Sequence, residues 1–490
     1  MAVRNPQRPT RSLAFFLVGV LAVMIPLRLL FIGEPAGRDE AGFLLVGAGW
    51  HDGSSLYGDY WVDRPPLLIW IMQLAGSVTV LRLIGLAACV LMVLGVARTA
   101  FVVSGDRAAR WAAGAAALFS TAHWFGVPRT NGEMLASAFV AWGFALAAQS
   151  LLRPGRRSWL AAVGAGLAAA GALLIKQTIA DGLVFLLVLA VVAGWQRKKL
   201  RGHAVRVVAW CAAGLVAGAG AGLLVAFAHG TTLPGLFDAL VTFRADAGEV
   251  IRTSASSATT DRLLVLLGTW VVSGLAVIAV LTTWHGLRRR DPALLATLAV
   301  IVFVSAASLL GGSYWAHYLF QLVPASALAI GLLADVVRPR VRLVVTTFIV
   351  VMTAGNLAWS LVSPPDDGVD AQTVGTWLRH SGQPSDTAVV AYGQPNVLAS
   401  ARMASPYPYL WSLPVRTLDP DLAVMTDVLS GPDRPTWFVD WSGIESWGID
   451  PATLLTVLTR DYREVAEVCG RTVWLVRGAP RALAVPRGCA

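Results

Sequence analysis

The chain has 490 residues, of which 56% are hydrophobic and only 14% are charged. About a quarter of the residues in soluble domains are charged, so this composition excludes an ordinary soluble protein and indicates an integral membrane protein. The net charge of +10 does not indicate nucleic-acid binding, because the basic residues lie in short clusters between apolar segments, where the positive-inside rule places them.

Apolar segments of about twenty residues, long enough to cross a hydrocarbon core of about 30 Å, recur along the chain. The first, Leu13 to Ile32, is too long for a signal peptide and has no small-x-small cleavage site before Arg38, so we interpret it as a retained span. The sequence predicts about eleven transmembrane helices, at 12–32, 81–103, 110–127, 133–152, 158–176, 179–195, 205–228, 263–284, 293–311, 316–335 and 342–362.

The loops between these spans form two alternating sets. One set is rich in clustered arginine and lysine, for example at the N-terminus, at 197–206 and at 338–342. The other set includes 33–80, 229–262 and the C-terminal tail, and it holds most of the loop acids. The positive-inside rule therefore predicts a multi-pass protein of the plasma (inner) membrane with a cytoplasmic N-terminus and an extracytoplasmic C-terminal domain.

Two adjacent carboxylates, Asp39 and Glu40, open the long first outer loop at 33–80. Acids at a membrane face are costly to place, and such an acid can take a proton from an acceptor or bind a metal ion. The structural alternative is that they cap a helix and stay solvated.

A short apolar segment, Pro65 to Gly76, follows in the same loop and is too short to cross the membrane. Its Pro-Pro start suits a helix, so we expect a juxtamembrane helix at the outer face, either amphipathic or re-entrant.

The same loop supplies a cation and aromatic side chains. Arg64 precedes the Pro-Pro pair and is a candidate to bind the phosphate of a lipid. Tyr57, Tyr60 and Trp61, with Tyr318 from a later outer turn, are predicted to line the substrate site, because aromatic rings suit both sugars and the membrane interface.

Further outer turns contain candidate residues, each with a structural alternative. Glu133 is either a second acid or a first-turn residue favoured by the helix dipole. Lys176 either binds phosphate or snorkels from a helix end. His317, beside Tyr318, either hydrogen-bonds a phosphate or acceptor or packs as an interfacial histidine. The loop at 229–262 is Ser/Thr-rich and is assigned no chemistry.

The composition changes near residue 366, where Gly-Ala-Leu-Val runs give way to Asp, Pro, Ser and Trp. We therefore divide the chain into a transmembrane catalytic domain at 1–365 and a small extracytoplasmic α/β domain at 366–490. Cys469 and Cys489 lie in this tail, and whether they form a disulfide stays open. The patterns predict strands at 386–392, 436–441 and 472–476 and helices at 372–380, 422–429 and 451–461.

The first outer loop resembles the start of the GT-C glycosyltransferases. The shared pattern is Asp39-Glu40-Ala41, Gly53, Leu56-Tyr57, Asp59 and Asp63-Arg64-Pro65-Pro66-Leu67. Within that superfamily the chain is most similar to the glycosyltransferase family 39-like group, which includes bacterial relatives of protein O-mannosyltransferases and the aminoarabinose transferase of lipid A. Such enzymes carry an acid in the first outer loop, use polyprenyl-phosphate sugars as donors and act at the outer face.

The resemblance implies a role for each candidate. Asp39 would be the catalytic carboxylate, and Arg64 would contact the donor phosphate where relatives often have lysine. Glu133 stands where the relatives usually have aspartate, and together with Glu40 it would orient the acceptor or bind a divalent cation, which the resemblance leaves open as a cofactor. Further phosphate contacts are implied at Arg129, Lys176 and His317.

The resulting expectation is a membrane glycosyltransferase that moves a sugar from a polyprenyl-phosphate donor to a glycan, lipid or protein acceptor of the cell envelope, with inversion. The absence of a Walker motif or Rossmann glycine pattern disfavours a nucleotide-sugar donor. The alternatives are a transporter or flippase of a lipid-linked saccharide and a non-catalytic GT-C-like scaffold in cell-wall synthesis. Transporters usually place their key ionisable groups in the middle of spans.

Overall fold

The structure is a computed structural model that describes residues 10–51, 56–127, 129–253, 257–363, 368–446, 449–486 and 488–489. Most of these residues are helical, and a four-stranded sheet follows the last long apolar helix. The predicted fold class, an α-helical polytopic membrane protein with a small C-terminal α/β unit, is confirmed. Gly53 and the predicted domain boundary at 365/366 lie outside the described residues.

Long apolar helices run back and forth through the first part of the chain, with shorter helices in the loops. They are α1 (Arg11–Leu29), α2 (Arg38–Ala48), α3 (Pro66–Ala75), α4 (Val78–Ser104), α5 (Asp106–Phe119), α6 (Gly132–Leu152), α7 (Ser158–Ile175), α8 (Asp181–Gln196), α9 (Arg201–Ala228), α10 (Leu233–Phe237), α11 (Phe243–Thr253), α12 (Ser257–Val272), α13 (Leu275–Arg289), α14 (Pro292–Leu310), α15 (Val323–Leu333) and α16 (Pro339–Val362). Short 3₁₀ segments lie at His123–Phe125, Lys198–Leu200 and Ala316–Leu322, and a π-helical turn lies at Asp238–Thr242.

Each of the predicted spans coincides with a helical segment of the structure. Among the described residues, eight helices are long and apolar enough to cross a membrane, and α12 with α13, bent by 60°, adds a ninth if the pair is one span. The other two predicted spans correspond to α5 and α8, which have only 14 and 16 residues. These helices are shorter than the predicted spans because the apolar residues at one end of each span, 120–127 and 179–180, lie outside the long helix.

Small residues let neighbouring helices approach closely. A Cβ added to Gly166 of α7 would lie 2.0 Å from the carbonyl oxygen of Cys211 on α9. A Cβ added to Gly214 of α9 would lie 2.1 Å from the carbonyl oxygen of Val163 on α7. The two backbones therefore touch where both helices have glycine, which is how membrane helices gain packing contacts that the apolar solvent does not provide.

The first outer loop contains two juxtamembrane helices, α2 and α3. The second follows Pro65, begins at Pro66 and ends at Gly76, whose φ of 61° favours glycine. It buries Leu68, Ile69 and Met72 and packs against α2 and α7. The predicted short helix is therefore present, and it lies within the protein instead of crossing the membrane.

The C-terminal unit alternates short helices with four strands. The elements are α17 (Val369–Ser381), β1 (Ala388–Ala391), α18 (Pro395–Ala401), α19 (Ser412–Leu418), α20 (Ala423–Ser430), β2 (Trp437–Asp440), α21 (Ala452–Asp461), β3 (Tyr462–Val468) and β4 (Arg471–Val476). All predicted strands and helices are present, but β3, α18 and α19 were not predicted.

The strands form one mixed sheet in the order β1-β2-β4-β3, with β1 and β2 parallel and the other neighbours antiparallel. One face of β2, with Trp437 and Val439, joins the core that continues into the membrane helices, and the other face has a core of its own.

Cys469 and Cys489 form a disulfide with a Cα–Cα distance of 5.2 Å, whereas Cys89 and Cys211 are free and buried. We expect thiol titration of the denatured protein to find two free thiols without reductant and four after reduction. Four free thiols without reductant would contradict this pairing, and a Cys469→Ser/Cys489→Ser variant, with two thiols under both conditions, is the control.

Candidate active site

Glu40 forms the best-satisfied ionic contact of the first outer loop. Its Oε2 accepts hydrogen bonds from Gly37 N at 3.0 Å and from Arg82 Nη2 at 2.8 Å. Its Oε1 accepts from Arg82 Nε at 3.0 Å and from Thr130 N at 2.8 Å. Glu40 is 1% exposed and Arg82 is 4% exposed. Both carboxylate oxygens are thus engaged by structural partners, which fits a positioning role better than the predicted contact with an acceptor or cation.

Arg82, on α4, also fixes the chain between α1 and α2. Its Nη1 donates to the carbonyl oxygens of Ile32 at 3.0 Å and Glu34 at 2.7 Å, and its Nη2 donates to that of Pro35 at 3.1 Å. The buried charge pair therefore ties the start of α2 to α4 and to the turn before α6. Such a pair is tolerated in a low-dielectric interior only when further hydrogen bonds satisfy it.

Asp39 lies one residue earlier on α2 and faces a different surrounding. Its Oδ1 accepts a hydrogen bond from Trp411 Nε1 of the C-terminal unit at 3.1 Å. The side chain is partly exposed, and within the described part of the chain it forms no ion pair. Asp39 is therefore a carboxylate that keeps oxygen lone pairs for a ligand, as a general base must.

The segment at 405–411 of the C-terminal unit packs on the first outer loop. The Trp411 ring covers Gly42, where an added Cβ would come within 2.3 Å of Cζ2, and its centroid lies 5.2 Å from that of Phe43. Tyr60 Oη accepts a hydrogen bond from Ser405 N at 3.0 Å, and Trp61 N donates to the carbonyl oxygen of Pro408 at 3.1 Å. The C-terminal unit thus forms part of the wall around Asp39.

The aromatic residues predicted to line the substrate site make contacts within the protein, and their contact with a substrate stays a prediction. Tyr57 and Tyr60 are 0% and 4% exposed. Tyr57 Oη donates to the carbonyl oxygen of Arg64 at 2.6 Å, and the Trp61 ring packs against Phe243 with a centroid distance of 4.6 Å. Of the aromatic candidates, Tyr318 stays in the site: its ring centroid lies 4.1 Å from Lys176 Nζ.

Arg64 is held in place by Asp63, a residue of the shared pattern for which no separate role was predicted. Arg64 Nη1 lies 2.7 Å from Asp63 Oδ1, and Arg244 Nη2 of α11 lies 2.5 Å from Asp63 Oδ2. Burial alone would lower the pKa of Arg64, but Asp63, Tyr318 and the other nearby acids raise it above its ordinary value. The guanidinium therefore stays charged, and its Nη2, which the contact with Asp63 does not use, is available to an anion.

Glu133 and Lys176, predicted as separate site residues, form an ion pair with each other. Glu133 lies in the first turn of α6 after the Asn131 cap, and Lys176 follows the last residue of α7. The ring centroid of His317 lies 4.9 Å from that of Tyr318, so these candidates do form one cluster. The ion pair neutralises the Glu133 carboxylate, which makes it a weaker candidate for the base than Asp39.

Arg129 lies on the other side of the start of α2. Its aliphatic stem covers Gly37, where an added Cβ would lie 2.7 Å from Arg129 Cδ. This places it beside the Glu40–Arg82 pair, at the junction of the first loop with the turn before α6. Its predicted contact with a donor phosphate stays a prediction.

Two further arginines, which the sequence analysis did not select, flank Trp315. The Cζ atoms of Arg38 and Arg262 lie 5.3 Å and 5.0 Å from the Trp315 ring centroid. Sequence patterns did not reveal these two because they belong to segments far apart in the chain. Among the described residues, Arg38 and Arg262 at Trp315 and Arg64 and Arg244 at Asp63 give this end of the bundle an excess of positive charge, which attracts anions.

Solved structures match nearly the whole chain, although no protein-family profile and no curated protein sequence matches it. ArnT from Cupriavidus metallidurans, bound to undecaprenyl phosphate, matches with a TM-score of 0.64 at 15% identity, over 96% of this chain and 99% of that chain. The Archaeoglobus fulgidus oligosaccharyltransferase tethered with an acceptor peptide matches with a TM-score of 0.58 at 14% identity, over 92% and 72% of the two chains. The same oligosaccharyltransferase in complex with Zn and sulfate matches with a TM-score of 0.55 at 16% identity, over 91% and 71%.

These proteins are GT-C glycosyltransferases, so the predicted likeness is confirmed at the level of the fold. The chain therefore shares the fold of these solved structures. At 14–16% identity, the match shows the fold and does not show which substrates this chain uses or which residues act on them.

The acids of the site do not converge on a shared metal ion. Within the described residues, a group of three side chains able to hold a metal occurs only at Asp370, Cys469 and Cys489, and these two cysteines form the disulfide. At the site, Lys176 engages Glu133, and two arginines engage Asp63. Mg²⁺ can also be held by one or two carboxylates together with substrate phosphates, so the divalent cation stays a prediction, and the proposed mechanism uses the side chains alone.

The buried pair generates a prediction about stability. We expect Arg82→Met to lower the free energy of unfolding by about 3–5 kcal/mol, because it leaves the Glu40 carboxylate buried without its cation. Denaturant unfolding of the detergent-solubilised protein measures this. Arg98→Met, on the same helix, is the matched control, since Arg98 donates to Gln149 Oε1 at 2.9 Å and forms no ion pair in the described chain. Equal losses in both variants would contradict the role of the pair.

Proposed function

We propose that this protein is an inverting membrane glycosyltransferase that transfers a sugar from a polyprenyl-phosphate donor to an acceptor outside the cytoplasm. The observation that carries the proposal is the Asp39 carboxylate, which has no ion-pair partner among the described residues and is surrounded by cations at one end of a bundle of apolar helices. A base next to an anion-binding surface at the membrane boundary suits a lipid phosphate as leaving group and a hydroxyl as nucleophile.

In this mechanism Asp39 takes the proton of the acceptor hydroxyl while the oxygen attacks the anomeric carbon of the sugar. The bond between that carbon and the phosphate oxygen breaks, and the polyprenyl phosphate leaves. Arg64, which Asp63 holds from one side, stabilises the charge that develops on the phosphate. Because the displacement is single, the anomeric configuration inverts. Lys176, which is paired with Glu133, and His317 offer further nitrogen donors on that side of the site.

The fold of the relatives supports a lipid donor. ArnT of Cupriavidus metallidurans was solved with undecaprenyl phosphate, and the archaeal oligosaccharyltransferase was solved with dolichol phosphate in another complex. We propose the same class of carrier lipid for this chain, in the plasma (inner) membrane, with the N-terminus in the cytoplasm. The acceptor is a glycan, lipid or protein of the cell envelope.

The distribution of ionisable groups favours an enzyme over a transporter. In the described spanning helices, every Asp, Glu, Lys, Arg and His lies within about two turns of a helix end. A transporter of a lipid-linked saccharide would place its key charges near the middle of its spans, at broken helices. The cations and acids of the candidate site instead lie together at one end of the bundle, where a donor in one leaflet and an acceptor in water would meet.

The first prediction from this proposal concerns the base. In membranes supplied with a panel of radiolabelled polyprenyl-phosphate sugars, Asp39→Asn should lower transfer at least about a hundredfold, because the amide cannot take the proton. Asp246→Asn, an exposed acid on α11, should retain transfer. Unchanged transfer by Asp39→Asn would remove Asp39 from the mechanism. If wild type bound labelled lipid but transferred none of the sugars, the transporter or scaffold would become the better hypothesis.

The second prediction concerns Trp411. Trp411→Phe keeps an aromatic ring over Gly42 but removes the hydrogen bond to Asp39, so kcat should fall about tenfold, the usual effect of losing a bond to a charged group. The KM for donor should not change, because Trp411 contacts the base and not the phosphate cluster. Trp474→Phe is the control, since the indole N–H of Trp474 has no partner in the described structure. A rise in donor KM with unchanged kcat would contradict this role.

A further inference from the structure

A second candidate binding site, lined by apolar side chains and two arginines, lies at the end of the bundle opposite Asp39. A cavity of about 540 Å³ opens between α1, α5, α13, α15 and α16. On α5 its lining runs from Arg110 to Leu118, about 12 Å along the helix axis. This volume lies within the range of about 300–1,000 Å³ that is usual for small-molecule sites.

The cavity exists because α16 does not pack closely on the bundle. Of its 24 residues, only Ile349, Thr353 and Ser360 are buried. Opposite it, α5 has Gly114, where an added Cβ would meet only Phe16 Cζ, at 3.9 Å. The gap between these helices is lined almost entirely by apolar side chains, so an aqueous ligand does not fit its chemistry.

One end of this cavity carries positive charge. Arg110, in the second turn of α5, and Arg342, in the first turn of α16, both line it. Neither forms an ion pair in the described part of the chain. Arg110 Nη2 donates to Ser12 Oγ at 2.8 Å, but its Nε is buried without a hydrogen-bond partner. Arg342 Nη1 donates to the carbonyl oxygen of Ala334, and its Cζ lies 5.6 Å from the ring centroid of Trp111.

We propose that this cavity is a binding site for an acidic phospholipid. The phosphate would lie between Arg110 and Arg342 and accept hydrogen bonds from their guanidinium groups, and an acyl chain would fill the groove between α5 and α16. Basic pockets between transmembrane helices are the usual sites of acidic lipid head groups, and a charged hydrogen bond to phosphate is stronger than a neutral one. The site is separate from the transfer site, so it does not depend on the proposed function.

The test uses delipidated full-length protein in a nonionic detergent, with dioleoylphosphatidylglycerol and dioleoylphosphatidylcholine as probes. Bound lipid is counted by native mass spectrometry, and the thermal unfolding midpoint is read in parallel. Wild type should bind one phosphatidylglycerol in preference to phosphatidylcholine. Arg110→Gln/Arg342→Gln should bind it about thirtyfold more weakly, because each arginine near a lipid phosphate contributes about fivefold.

Two further variants separate this site from general attraction. Arg338→Gln/Arg340→Gln removes two exposed arginines beside the same end of α16 and should bind phosphatidylglycerol like wild type. Gly114→Leu fills the groove without a backbone clash and should lose binding while keeping its lipid-free unfolding midpoint.

The proposal is overturned if phosphatidylcholine and phosphatidylglycerol bind with equal affinity, because the arginines then do not discriminate between the two head groups. It is also overturned if the Arg338/Arg340 variant loses as much binding as the Arg110/Arg342 variant, which would indicate diffuse attraction to a basic surface. Retention of the lipid by Gly114→Leu would equally exclude the groove.

Discussion

The buried pair of Glu40 and Arg82 is the interaction on which the site depends. It brings together the start of α2, the first turns of α4 and the turn before α6. In an apolar interior this charge pair tolerates few geometries, because each unsatisfied hydrogen-bonding group there is costly. It therefore sets the orientation of α2. Adjacent side chains on a helix point about 100° apart, so when Glu40 faces inward, Asp39 faces the C-terminal unit.

Around Asp39, ion pairs divide the other charged residues into those that are neutralised and those that keep their charge. Glu133 with Lys176 is a closed pair. Asp63 is shared between Arg64 and Arg244, so this group keeps a net positive charge, and Arg38 and Arg262 stack on Trp315 without a carboxylate among the described residues. The Asp39 carboxylate is therefore available as a base among positively charged side chains, and the C-terminal unit contributes Trp411, which donates a hydrogen bond to it. Because the first outer loop and the C-terminal unit together form the site, the geometry of the site depends on the contacts between them.

Much of the fold could be predicted from the sequence because the bilayer imposes simple rules. Twenty apolar residues make a span, and all eleven predicted segments are helical. Alternation and β-branched content located three of the four strands. The edge strand β3 was missed because its sequence, Tyr462 to Val468, is interrupted by charged residues. The roles of Glu40, Tyr57 and Tyr60 could not be predicted, since a motif identifies a residue but not which neighbours occupy its polar atoms.

The sequence by itself determined the class of the protein, the positions of its helices and the loop that holds the acids, because hydropathy, charge clustering and proline positions act over short distances along the chain. It also singled out Asp39, Arg64 and Lys176 as candidates. Only the tertiary structure decided that Glu40 is saturated by Arg82, that Lys176 is paired with Glu133, and that Trp411 reaches Asp39. These contacts join residues that lie far apart in the chain, and they form because packing in three dimensions brings a donor to each buried acceptor.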